Sequence, residues 1–264
     1  MAEQSGSQPE RSGSERHRGA SGPARSLAVL WRALEPPARG PKQGLDVDRL
    51  VATAIELADR DGLEALSMRR VAEALGVGTM SLYTYVSTKA ELLELMIDAA
   101  IGETPLEVEG ADWRARLEHI AAERWALLLR HPWMLDVTGV RAVLGPHVTE
   151  RYEHDLRAIE DIGLTDVDMD GVLALIKGHV EGAARGAVEA ARIERATGMT
   201  DSEWWEERAP VLGELVDPER FPLAIRVGTA AGTEHNAASS PEYVFKFGLA
   251  RILDGIAALV DQRG

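Results

Sequence analysis

Residues 67–89, SMRRVAEALGVGTMSLYTYVSTK, gather the side chains best suited to chemistry with another molecule. Hydroxyls (Ser67, Thr79, Ser81, Thr84), two tyrosines (Tyr83, Tyr85) and cations at both ends (Arg69, Arg70, Lys89) crowd a short segment. Such groups donate hydrogen bonds to phosphate oxygens and present methyl and aromatic faces to base edges. Between Val71 and Thr88 there is no lysine or arginine, so any polyanion must be held from the flanks and by uncharged donors. Catalytic chemistry finds no footing. The chain has no cysteine, which removes thiolate nucleophiles and cysteine-ligated zinc, and no G-x-S-x-G, P-loop or GxGxxG run occurs. His147, Glu150 and His154 share a helix face, but their wide spacing fits a solvated face better than a metal site. The expectation is a protein that is not an enzyme and carries no cofactor and no metal.

The elements that position this segment are helical. Alanine and leucine dominate a composition that is 45% apolar and only 5% aromatic, and no strand pattern or internal repeat is evident. Asp46 opens a helix with Leu50, Ile55 or Ala54, Leu57 and Ala58 on one face, stopped by Gly62. Ser67 caps a second helix to Leu75, Gly76 takes the turn, and a third helix spans about 79–86. Val71, Leu75, Val77, Leu82 and Val86 would close a small core and leave Thr79, Met80, Tyr83 and Thr84 outward. Thr88-x-x-Glu91 reads as a capping box for a fourth helix. A helix–turn–helix and an ordinary helical hairpin both satisfy this spacing.

The particular residues decide between them. The run LSMRRVAEALGVGTMSLYTYVSTKAEL, with the lead-in AIELADRDGLEALSM and the segment LYTYVSTKAELL, resembles the N-terminal DNA-binding domain of the TetR family of bacterial transcription regulators over residues 46–100. The resemblance implies an all-α protein with a helix-turn-helix DNA-binding domain (45–103) and an effector-binding and dimerisation domain (104–264), which follow a tail (1–44) whose composition reads as disordered and basic. It implies DNA contacts from Ser67, Arg69, Thr79, Met80, Ser81, Tyr83, Thr84, Tyr85 and Lys89. Thr79, Met80 and Thr84 suit thymine methyl groups better than guanine. Tyr85 is equally eligible as a core residue and Arg70 as a solvated one.

The net charge of −14 is unevenly spread. Residues 1–44 hold seven basic side chains against four glutamates, so the tail carries +3 and the remainder −17. Rich in Gly, Pro and Ser, the tail is expected to lack order except for a short amphipathic turn around SLAVLWRAL, with Arg39 and Lys42 available to phosphates. Beyond residue 105, helices are expected at 112–132, 146–163 and 168–196, the last apolar or small nearly all round and therefore buried and central. One short helix at WWEERAPVL and a last helix at 241–262 follow. The resemblance implies dimerisation through two helices per subunit; the candidates are the last helix and the 168–196 helix, where Gly171, Gly178, Gly182 and Gly186 lie on related turns and permit close helix contact. Trp125, Trp133, Met134, Tyr152 and His179 are the candidate lining of an apolar effector cavity.

No apolar run reaches transmembrane length and no signal peptide is evident, so a cytoplasmic protein is expected. The expected function is a homodimeric repressor on palindromic operator DNA, released by a small molecule. An activator, or a small-molecule sensor with weak DNA binding, is the alternative.

Overall fold

The computed structural model describes residues 22–32, 45–106, 112–138 and 141–263, and among these the regular elements are helices. They fall into two compact units. The first holds the described residues up to Leu106 together with 136–153. The second holds those from Asp112 to Leu135 and from His154 onward.

In the first unit, α1 (Pro23–Leu30) precedes α2 (Val47–Asp61), α3 (Met68–Leu75), α4 (Thr79–Leu82) and α5 (Lys89–Ile101). Side chains cap three of these helices. Asp46 accepts from Arg49 N at 2.7 Å, Ser67 from Arg70 N at 3.3 Å, and Thr88 from Glu91 N at 3.1 Å. Glu91 returns its carboxylate to Ser87 N at 2.5 Å rather than to the Thr88 amide, so the reciprocal half of the anticipated capping box is displaced by one residue. Leu50, Ala54, Val71, Leu82, Val86, Leu92 and Met96 form the core. The helix expected at 79–86 is shorter: α4 ends at Leu82 and residues 83–85 make turns, because Tyr85 N and Val86 N both bond Leu82 O.

The anticipated disordered tail needs correction at its middle. Residues 23–30 form a helix with Ala28, Val29 and Leu30 buried, set slightly earlier than the turn anticipated around SLAVLWRAL. Arg39 and Lys42 lie outside the described residues, as do residues 1–21 and the rest of 33–44.

The start of α7 (Pro146–Arg157) is bound to α5 within the same unit. The buried Asp98 carboxylate accepts from Val148 N at 3.0 Å and meets His147 Nδ1 at 2.9 Å. Pro146 carries no N–H, and Asp98 accepts from the Val148 amide in the first turn of α7, a cap supplied from another helix. The close approach requires glycine at 145, since a Cβ there would lie 2.0 Å from Asp98 Oδ1 and 2.9 Å from Asp98 Cβ.

The second unit is built from α6 (Trp113–Arg130), a 3-10 turn at Pro132–Asp136, the final residues of α7, α8 (Asp166–Thr197), α9 (Asp201–Leu215), α10 (Pro222–His235) and α11 (Pro241–Asp261). Leu117, Ile120, Leu128, Ile159, Ile176, Val180 and Leu253 lie at its centre. Three expectations change here. The 146–163 helix stops at Arg157, and Asp161 (φ 61°) and Gly163 (φ 89°) reverse the chain. Residues 201–235 make two helices rather than one short one, each broken by its own signals: Thr200 caps α9, and Pro222 opens α10. The apolar-all-round α8 buries Val172, Ile176, Val180, Ala184 and Val188, yet Gly171, Gly178 and Gly182 stand exposed with nothing within 4 Å of an added Cβ. One face of that helix has no partner within the described residues of its own chain.

Gly145→Ala is expected to displace Asp98 and lower the stability of the protein by about 1–3 kcal/mol. Urea unfolding measures this, and an unchanged midpoint would show that the segment is free to move away.

Candidate nucleic-acid interface and ligand site

The connection between α3 and α4 is fixed by backbone chemistry. Gly76 adopts φ 68°, Gly76 N bonds Glu73 O at 3.1 Å, and Val77 N bonds Ala72 O at 3.0 Å. This paired closure satisfies the last carbonyls of α3 and reverses the chain, and the left-handed conformation favours glycine. Val71, Ala72, Leu82 and Val86 are fully buried behind it, while Leu75 and Val77 are half-buried. With its inner face anchored at Leu82, α4 turns the opposite side outward: Met80 is 77% exposed, and Ser81, Tyr83 and Thr84 are exposed around it, with Thr79 half-buried at the helix start. The Thr84 hydroxyl donates to Ser81 O at 2.6 Å, which leaves its methyl group as the outward chemistry. Ser67 uses its oxygen as a cap acceptor and retains its proton.

The flanking groups divide into two kinds. Arg69 is 81% exposed and bonds the exposed Glu73 at 2.9 Å; such an i,i+4 pair is worth a few tenths of a kcal/mol and yields readily to phosphate. Arg70 is committed: it bonds Asp61 at 2.5 Å and Ala65 O at 3.1 Å, tying the end of α2 to the start of α3. A hydrogen bond from Arg60, joined by those from Arg70, holds the Asp61 carboxyl below its ordinary range. Lys89 Nζ donates to Leu66 O at 2.8 Å, with two further N–H donors on the same nitrogen.

Tyr85 is corrected. Its hydroxyl donates to Leu45 O at 3.1 Å and its ring is half-buried, so the proton that a phosphate would need is already used. Tyr85 is a strut between the end of the reader and the entry to α2. Arg25 was missed altogether, because it stands in a segment with the composition of a tail; it donates to Ser87 Oγ at 2.5 Å and meets Glu91 at 3.5 Å.

The proposed ligand set does not assemble as one group. In the second unit Trp125 packs against Phe245 with centroids 4.7 Å apart, and His179 stacks on the same ring at 6.3 Å while its Nε2 lies 2.9 Å from Phe245 O. Phe245 is thus the hub, absent from the expected set though present in the α11 stripe. Trp133 is fully buried, and Met134 packs beside the core of the second unit. Tyr152 belongs to the first unit. A separate cavity of about 650 Å³ opens between α9 and α10, lined by Trp205, Pro210, Leu212, Ile225, Thr229 and Asn236 among others. Its size falls in the range of small-molecule pockets. Asn236 closes one end on Glu206 at 3.0 Å. No group of three His, Cys, Asp or Glu able to hold a metal occurs among the described residues.

Comparison with known proteins agrees in both units. Residues 50–96 match the model for bacterial regulatory proteins of the tetR family, and residues 104–260 match the tetracyclin repressor-like C-terminal domain. The chain is 43% identical over 255 residues to the HTH-type transcriptional repressor DrrR1 of Streptomyces coeruleorubidus, covering 96% of this chain and 92% of that one. Among solved structures, apo ActR from Streptomyces coelicolor superposes with a TM-score of 0.70 at 24% identity, over 85% of this chain and all of that one. ActR in complex with actinorhodin gives 0.68 at 25% identity, over 84% and 99%.

Tyr85→Phe is expected to lower stability by about 0.5–1.5 kcal/mol in the absence of DNA. Thermal unfolding of the free protein checks this; a tyrosine that served only phosphate would leave that midpoint unmoved.

Proposed function

The chain belongs to the TetR family of bacterial transcriptional regulators, and from that premise we propose that it represses transcription by binding palindromic operator DNA as a homodimer and leaves the DNA when a small molecule binds. The observation that carries the reading is the outward edge of α4, where Met80, Ser81, Tyr83 and Thr84 are exposed while Leu82 and Val86 lock the opposite side. Such an edge presents a methyl- and hydroxyl-rich surface to the major groove, and Ser67, Arg69 and Lys89 flank it as phosphate donors. Thr79 at the first turn joins the reading set; Tyr85 supports it from behind.

A single reader covers one half-site, so a twofold pair is needed to span a palindrome with half-sites about 34–36 Å apart. The exposed glycine face of α8 at Gly171, Gly178 and Gly182 favours close helix packing between two copies, because glycine in a helix interior costs about 1 kcal/mol without a packing return. The repressor sense is supported by the extended similarity to DrrR1, a named repressor. An effector is supported by ActR, which binds actinorhodin on the same fold. In this chain the cavity between α9 and α10, of about 650 Å³, offers space of the right size for such a molecule. Release follows if the ligand prefers the conformation that misplaces the two readers, by its difference in affinity for the two states. The site of action is the cytoplasm, where the DNA lies, and no described helix is long and apolar enough to cross a membrane. The reading assigns no catalytic role.

Tyr83→Ala combined with Lys89→Ala is expected to abolish the mobility shift of the DNA fragment upstream of the gene and to leave the dimer intact in sedimentation. A shift of wild-type strength would contradict the reading.

A further inference from the structure

We infer that α1 is a working part of the DNA reader and that Arg25 is a positioning residue for the turn that carries α4 into α5. The inference rests on the DNA-reading role of α4 proposed above.

A helix of four residues cannot set its own direction, so the segments at its two ends must do so. On one side stands the Gly76 closure. On the other stands the 87–91 turn, and three groups meet there. Ser87 N donates to Glu91 Oε2, Thr88 Oγ accepts from Glu91 N, and Arg25, more than sixty residues earlier in the chain, donates to Ser87 Oγ and faces Glu91 Oε1. The Glu91 side chain is only 5% exposed, and a carboxylate so placed demands a cation. Glu94, one turn further on, has its carboxyl raised above the ordinary range by burial and then by the charge of Glu91. Arg25 is the cation found within 4 Å of Glu91 among the described residues, and α1 brings it there.

The helix itself is held firmly enough to act as a brace. Ala28, Val29 and Leu30 are buried. Arg32, which ends α1 in the left-handed region at φ 51°, grips Asp48 in the first turn of α2 at 2.9 and 2.6 Å. Trp31 Nε1 donates to Leu144 O at 2.8 Å, just before the segment clamped by Asp98. One short helix therefore bonds the start of α2, the start of α5 and the entry to α7, all within the first unit. The removal of residues 1–38, which the tail-like composition would present as harmless, takes this brace away.

The test uses the full-length protein with Arg25→Ala, Arg25→Lys, and Arg25→Ala combined with Glu91→Gln. Amide hydrogen exchange is read without DNA, and affinity for the upstream DNA fragment is titrated at several salt concentrations. Arg25→Ala is expected to speed exchange at Ser87 and Glu91 with α2 unaffected, and to weaken DNA binding about tenfold. The salt slope stays the same, because Arg25 acts through the turn and not on phosphate. Arg25→Lys restores most of both, and Glu91→Gln recovers protection by removing the buried charge. Unchanged exchange at Ser87 overturns the inference. So does a slope shallower by about one, which would make Arg25 a phosphate contact. If the wild-type protein binds no DNA at any salt concentration, the proposed function fails with it, while the exchange data still decide whether Arg25 holds the turn.

Discussion

A single turn of helix has no stability of its own, and the reading edge of this protein is a single turn. Everything around α4 compensates for that constraint. Leu82 and Val86 bury its inner side, the left-handed Gly76 fixes its entry, and the Ser87–Thr88–Glu91 hydrogen bonds fix its exit. Tyr85 ties the exit to the start of α2, Arg70 ties α2 to α3, and Arg25 neutralises the carboxylate on which the exit depends. Several polar side chains that look like DNA ligands are thus engaged in aiming others.

The electrostatics follow from the same division of labour. With a net charge of −14, the chain as a whole repels DNA, and nonspecific binding gains little from the body. Arg69 and Lys89 stand near the edge with donors to spare or a weak surface partner, whereas Arg70 and Arg25 are spent on internal carboxylates. In the proposed function, fit between Met80, Tyr83, Thr84 and the groove supplies what charge does not.

Much of this was legible in sequence because it depends on local rules. Ser67, Thr88 and Gly76 announce their caps by type and spacing, and the Val71, Leu82 and Val86 core follows from helical periodicity. What was hidden depends on partners distant in sequence. Arg25 lies in a Gly/Pro/Ser-rich stretch and gains meaning only from Glu91, and Gly145 only from Asp98. Tyr85 has the same residue type as Tyr83 two positions earlier, and only the Leu45 carbonyl distinguishes strut from reader. In the second unit the aromatic set was chosen by residue type. The Trp125–Phe245–His179 stack joins three helices, so no single stretch of sequence reveals it. The two helices at 201–235 were compressed into one because Gly213, Gly228 and Gly232 dilute their periodicity.

The central claim is that DNA is held by a braced, nearly uncharged edge with few ionic contacts. The salt dependence of binding to the upstream DNA tests it most directly. With Arg69 and Lys89 from each of two copies, the slope of log K against log salt should be about −3.6, at about −0.9 per phosphate neutralised. A slope near −10 would contradict the account and place the binding energy in basic residues that the reading edge lacks.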